Sequence, residues 1–219
     1  MKSLLAVKKK AQNQTKEALL DTAEALFSRD GYKETSLRSL TAEAGVNLAA
    51  VNYHFGSKKA LLKAVFARRL DHLNRVRMQR LREIDAMAEG GGVLPSVEDI
   101  LRAFIAPMFL LKEDGEGSRS FTTLIGRVLN DQDPSTRDIF LKYMKPVFHE
   151  CYRLLCGVLP HLSRETVFWR LIFVTAAAGR ALRLDESMTL LNAAGSALPD
   201  SEAVLSVLLP FVTAGMKAP

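Results

Sequence analysis

Residues 44–61, AGVNLAAVNYHFGSKKAL, constrain the fold of this chain more than any other stretch. Gly45 interrupts an apolar stripe and tolerates the left-handed backbone of a tight turn; Val46 is an apolar plug, and Asn47 is a preferred N-cap for a short helix from Leu48 to Phe55. Upstream, Leu37, Leu40, Thr41 and Ala44 repeat at helical spacing, with Thr35 offering an oxygen to the start of a helix of about ten residues. Two short helices joined by a three-residue turn make a helix-turn-helix. Ahead of it, Ala18, Leu19, Thr22, Ala23, Leu26 and Phe27 mark a helix from Thr15 that Asp30-Gly31 stops. Behind it, Ser57 caps a long fourth helix that starts at Lys58, runs through Arg75, Arg77, Arg80 and Arg82, and ends at Gly90-Gly91-Gly92.

Beyond that glycine run the periodicity stays helical, over 96–112, 119–130, 134–159, 163–183 and 201–217. The intervening connections are 113–117, 131–134, 160–163 and 185–200, and no stretch alternates as a strand does. Pro107, Pro146 and Pro210 are expected to kink or interrupt their helices, because proline lacks the backbone donor. The expected fold is all-α: a three-helix helix-turn-helix domain joined by a long helix to a helical bundle. Residues 1–14 read as a basic N-terminal arm, 15–66 as the helix-turn-helix domain and 67–219 as the bundle.

Apolar residues make up 48% of the chain, yet no apolar run approaches the roughly 20 residues that span a bilayer, so no membrane segment is expected. The patch Leu4 to Val7 precedes its lysines, the reverse of a secretory leader, and the chain reads as cytoplasmic. Cys151 and Cys156 lack metal or redox-pair spacing and read as buried free thiols. His54, His72, His149 and His161 have no partners at ligand spacing and no phosphate-cradling glycine loop exists, so neither an enzyme, a metal site nor a cofactor is expected.

Charge is unevenly spread. Residues 1–85 hold 17 Lys and Arg against 9 Asp and Glu, a net +8, and residues 86–219 hold 13 against 15, a net −2, giving the overall +6. A basic head on a neutral body is what a polyanion-binding protein shows; a solvated basic helix face is the alternative. A helix that enters the major groove of double-stranded DNA needs small side chains near its N-terminus and a few polar groups that reach base edges. Ala49 and Ala50 meet the first need. Asn52, whose amide matches adenine, meets the second, while Tyr53, His54 and Lys58 suit phosphates. A short Ala-rich helix that merely packs is the competing reading.

Residues 15–66 resemble the N-terminal domain of TetR-family transcriptional regulators: the opening "A..LF...GY..TS", the turn "A..AGV" and the run "YHF.SK..L" occur in family order and spacing. Asn47 and Asn52 depart from the serine and aromatic residues common there, so a base preference does not transfer. The stretch NLAAVNYHFGSKKAL with the tail LLPFVTAGMKA is similar to a narrower branch, the PsrA-like regulators that respond to long-chain fatty acids. The resemblance implies phosphate contacts from Thr35, Tyr53, His54 and Lys58, and base-edge contacts from Arg38, Ala49, Ala50 and Asn52, with Asn47 holding the helix that carries them. It also implies a homodimer built on helices 163–183 and 201–217, and a hydrophobic small-molecule effector, a fatty acid or acyl thioester, that releases a repressor from a near-palindromic operator.

Candidates for the effector pocket are Phe104, Met108, Phe121, Leu124, Ile125, Arg127, Val128, Phe148, Trp169 and Phe173, with Phe109, Phe140 and Met144 as further apolar candidates. Aromatic and Met residues at helical spacing are more often core than ligand box, and each of these is readable as core. Arg127, Arg170 and Arg180 stand in apolar helices, where either a ligand carboxylate or a neighbouring Asp or Glu would pair them. The rival to a regulator is a non-catalytic helical adaptor whose basic domain grips an acidic protein.

Overall fold

Helix boundaries fall where capping residues and glycines put them. The computed structural model describes residues 2–89, 94–113, 116–131, 134–183 and 200–219, and the regular structure of these residues is entirely helical. The order is α1 (Lys2–Arg29), α2 (Leu37–Glu43), α3 (Leu48–His54), α4 (Lys58–Glu89), α5 (Val97–Glu113), α6 (Glu116–Asn130), α7 (Pro134–Val158), α8 (Arg164–Ala181) and α9 (Ser201–Lys217). The glycine run 90–92 and most of the expected connection 185–200 lie outside the described residues.

Several expectations are corrected. Helix α1 starts at Lys2 rather than Thr15. α2 has seven residues, and its N-cap is Ser36, not Thr35: the Ser36 Oγ accepts from the Ser39 N–H at 2.9 Å, while Ser39 Oγ accepts from the Ser36 N–H at 3.2 Å. This reciprocal box satisfies two backbone donors that a helix start leaves orphaned. The Thr35 hydroxyl instead turns inward and donates to the Gly31 carbonyl at 2.8 Å. Pro107, Pro146 and Pro210 all lie inside helices and interrupt none of them.

The chain forms two compact units, and α4 and α7 each have residues in both. The first comprises α1 to α3, α4 through Asp71, α6, and α7 through Tyr143, so the unit that contains the helix-turn-helix also draws on residues well beyond 66. Its core includes Leu19, Phe27, Leu40, Val51, Leu62 and Phe66, and the Phe66 ring meets those of Phe121 and Phe140 at 6.0 and 5.8 Å. Arg127 of α6 donates to the carbonyl of Arg29 at 2.7 Å, capping the last turn of α1 where free carbonyls concentrate negative charge.

Within this unit one carboxylate is fully enclosed. Glu24 of α1 receives Arg69 Nη2 at 2.8 Å and Nε at 3.2 Å, a side-on fork, and Arg68 Nη2 at 2.9 Å. Arg68 also reaches Asp21 at 2.6 Å, tying α1 to α4 over a second turn. Part of the basic surplus of the N-terminal third is therefore spent inside the protein.

The second unit comprises α4 from His72, α5, α7 from Met144, α8 and α9. Ile100, Phe104 and Ile105 of α5, Cys151 and Leu155 of α7, Val167 and Leu171 of α8, and Leu205 and Leu209 of α9 share one buried cluster. Cys151 is buried as expected and burial pushes its thiol pKa up, whereas Cys156 is only half-buried; both are free.

Replacing Glu24 with Ala leaves two arginines facing an enclosed, unpaired gap, a change that costs about 3–5 kcal/mol for a buried pair. A urea titration should show that loss for Glu24→Ala and a smaller one for Arg68→Gln, which leaves the Arg69 fork intact. A Glu24→Ala midpoint within experimental error of the parent contradicts this role for the network.

Candidate functional site

The turn before α3 is a Schellman motif. With Ala44 as C-cap, the Val46 N–H reaches the Thr41 carbonyl at 3.0 Å and the Gly45 N–H reaches that of Ala42 at 3.2 Å, while Gly45 adopts a φ of +66°. Asn47 then caps α3, its Oδ1 accepting from the Ala50 N–H at 3.0 Å. At the far end Gly56, at φ +76°, turns its N–H to the carbonyls of Val51 and Asn52, and Ser57 Oγ accepts from the Ala60 N–H to begin α4. Both ends of the seven-residue α3 are thus fixed, and Val51, fully buried, anchors its inner face.

The outer face is what this arrangement presents. Ala49, Asn52 and Tyr53, spaced as neighbours on a helix surface, are exposed, and Ala50 is half-buried beside them. Tyr53 is 71% exposed; its ring lies edge-on to His54 at 5.0 Å, and its hydroxyl accepts from Gln12 Nε2 of α1 at 3.3 Å. Gln12 escaped the sequence reading because its partner is 41 residues away. Arg38 is exposed on α2. Thr35 is buried, its hydroxyl engaged with Gly31. Lys58 is tethered: Nζ donates to the Lys33 carbonyl at 3.3 Å and sits 4.4 Å over the Tyr32 ring. Burial lowers its pKa and Glu34 opposes that shift. The lysine therefore pins the α1–α2 connection to the start of α4, whatever else its ammonium group meets.

The ten pocket candidates are divided between the two units. Phe121, Leu124 and Val128 are core residues of the first unit, Ile125 is half-buried there, and Arg127 is the exposed cap of α1. Phe104 belongs to the core cluster of the second unit, and Met108 and Phe148, partly buried, pack against it. Trp169 and Phe173 are 51% and 65% exposed on α8, an outer rather than an enclosing position. Arg170 and Arg180 bind backbone carbonyls, Arg170 those of Met216 and Ala218 at 3.0 and 2.6 Å and Arg180 that of Arg183 at 2.9 Å. Helix C-termini, with their orphaned carbonyls, compete for a guanidinium as well as a carboxylate does.

One cation in the second unit was overlooked. Arg77 of α4 is 1% exposed, lies 5.0 Å from the Phe104 ring, and has only Asn74 Oδ1 at 3.3 Å and the Met144 sulfur at 3.9 Å as hydrogen-bond partners. Burial pulls its pKa down to about 9, with the neighbouring Cys151 opposing. In sequence it hides among Arg75, Arg80 and Arg82, and only its place in the stripe Leu70, Leu73, Leu81 distinguishes it.

Capped turn, short exposed helix and buried scaffold define a helix-turn-helix DNA-binding fold, followed by a helical body. Residues 19–65 match the family described as bacterial regulatory proteins, tetR family, and residues 102–215, more than half of the chain, match the tetracyclin repressor-like C-terminal domain. The chain belongs to the TetR family of transcriptional regulators. It is 33% identical over 63 residues to IcaR of Staphylococcus aureus, the negative transcriptional regulator of the biofilm operon icaADBC, in a match that spans 29% of this chain and 34% of that protein. Its fold is similar to that of FadR from Bacillus subtilis in complex with stearoyl-CoA, with a TM-score of 0.65 at 14% identity over 91% of this chain and 98% of the other. FadR of Bacillus halodurans is similar to the same degree, with a TM-score of 0.65 at 13% identity over 92% and 95% of the two chains.

Loss of an N-cap side chain costs about 0.5–2 kcal/mol. Asn47→Ala should lose stability of that order in chemical denaturation while Asn47→Asp retains it, and Asn52→Ala, on the exposed face, should match the parent. Equal stability of Asn47→Ala and the parent contradicts the capping geometry.

Proposed function

We propose that this protein is a ligand-controlled repressor that binds a near-palindromic operator as a homodimer and leaves it when an apolar small molecule binds the helical body. The observation that carries the reading is the outer face of α3, where Ala49, Asn52 and Tyr53 are exposed on a helix fixed at both ends and anchored by Val51. Small residues let the backbone approach the groove floor, and the Asn52 amide offers a donor and an acceptor side by side, the pattern that pairs with adenine N7 and N6. Arg38, Tyr53, His54 and Lys58 flank this face as phosphate or base-edge contacts, and Asn47 holds its start. Thr35 contributes by setting the backbone before α2.

Dimerisation is supported by a second face. Phe168, Trp169 and Phe173 of α8 and Val207 and Phe211 of α9 are large, apolar and exposed, and on α9 Ala203, Val207, Pro210, Phe211 and Ala214 continue as one exposed apolar stripe. A partner copy that covers both helices gives these side chains the burial that water denies them. Two copies present two α3 helices to successive major grooves about 34–36 Å apart. A repressive role is supported by the similarity to a named negative regulator, and an acyl effector by the likeness of the fold to a regulator bound to stearoyl-CoA. Residues 15–66 read the DNA and 67–219 bind the effector and the second copy. A coupling of about 1–3 kcal/mol between effector and DNA changes operator affinity roughly 5- to 150-fold.

The test uses a duplex selected for tight binding. Asn52→Ala should cost about 1–3 kcal/mol on that duplex and relax the preference at one position of each half-site. An unchanged base preference removes Asn52 from the reading face, and binding that is indifferent to duplex sequence in the parent protein favours the adaptor instead.

A further inference from the structure

Arg77 stands where the packing of α4 calls for a leucine. The buried residues of that helix run Leu61, Leu62, Val65, Phe66, Leu70, Leu73, Arg77, Leu81, a continuous inner stripe at helical spacing with a single cation in it. Among the described residues Arg77 is the only buried cation. Enclosing a charge without a counter-charge costs several kcal/mol, and proteins ordinarily avoid that cost by pairing or exposing the group.

The manner in which it is unpaired is informative. Nη1 has Asn74 and Met144, whereas Nε and Nη2 have no hydrogen-bond partner at all. Those two atoms form one edge of the guanidinium, and the protein uses the same edge elsewhere to grip carboxylates: Arg69 holds Glu24 through Nε and Nη2, and Arg29 holds Asp30 at 2.9 and 3.1 Å in the same way. Among the described residues Cys151 is the one ionisable group that bears on the Arg77 charge, and in the second unit Asp85 and Glu150 pair with Arg153 and Glu98 with Arg102. The surroundings of the guanidinium are apolar: the Phe104 ring centroid lies 5.0 Å from its central carbon, the Met144 thioether meets Nη1, and the thiol of Cys151, whose pKa burial pushes up, stands close enough to act on it electrostatically.

We propose that the Nε/Nη2 edge of Arg77 is the anchor for the carboxylate of an apolar monocarboxylic acid, so that the effector is the free acid and not its thioester. The inference rests on the reading above that the helical body binds an apolar effector. A carboxylate supplies two acceptors at the spacing of the two orphaned donors and one negative charge against one positive charge. A phosphate dianion calls for a second cation, and among the described residues none is buried beside Arg77. A thioester carbonyl brings neither the charge nor the second acceptor.

Full-length protein titrated calorimetrically with laurate, lauryl alcohol and lauroyl-CoA tests this. The acid is expected to bind at least about tenfold tighter than the alcohol, the margin that one charge-assisted hydrogen bond provides. Arg77→Met should abolish that ratio, and Arg77→Lys, which keeps the charge without the fork, should reduce it and gives the reading if the Met variant does not fold. A merely structural arginine leaves the ratio between acid and alcohol untouched. Equal binding of acid and alcohol by the parent, a ratio that survives in Arg77→Met, or binding of lauroyl-CoA without laurate overturns the anchor and leaves the apolar effector standing. Binding of none of the three overturns the effector reading together with the anchor.

Discussion

The enclosed carboxylate of Glu24 is the constraint on which the DNA-binding unit depends. A buried anion must be met by donors, and here the donors are consecutive arginines, Arg68 and Arg69, one turn of backbone from the core residues Val65 and Phe66. The resulting pairs fix the register of α1 against α4 in a way that apolar packing, which tolerates sliding, does not. α2 and α3 lean on α1, so the direction in which the face of Ala49, Asn52 and Tyr53 points is set by this ionic lock. Lys58 and Arg127 reinforce it at the connection after α1, the first over Tyr32 and the second on the Arg29 carbonyl.

Local chemistry was legible from the sequence because local chemistry decides it. Gly45 and Asn47 fixed the turn and the start of α3, Ser57 the start of α4, and the spacing of leucines placed α9 at Ser201–Lys217. Where two adjacent hydroxyl residues competed for one cap, as Thr35 and Ser36 did, the sequence could not choose; the reciprocal partner Ser39 makes the choice at Ser36. Contacts between distant segments were not readable. Helical spacing shows that a face is apolar without saying what covers it, which is why Phe121, Leu124 and Val128 turned out to be core of the first unit, whereas Trp169 and Phe173 lie on an open face. Arg127 and Arg170 were unreadable for a related reason: both donate to backbone carbonyls at helix ends, and backbone groups leave no trace in composition.

The two units set opposite demands on charge. In the first, polar groups on α3 stay in water until a more specific partner replaces it, and the enclosed carboxylate beneath them, Glu24, is met by Arg68 and Arg69. In the second, a cation has been placed in the apolar interior with two of its three guanidinium nitrogens unmet. A regulator whose effector must be recognised by geometry gains from such an arrangement, because a ligand that satisfies the buried group is favoured by what the free protein lacks. On the proposed reading, Arg77 without its ligand leaves the fold less stable than a leucine at that position would.

Selection of binding sites from random duplex DNA by the full-length protein tests the central claim most directly, since it asks at once whether α3 reads bases and whether it does so twice. The account predicts enrichment of an inverted repeat whose half-sites are centred about one helical turn apart or a multiple of it. Enrichment of nothing, or of a lone half-site with no symmetric mate, would contradict it.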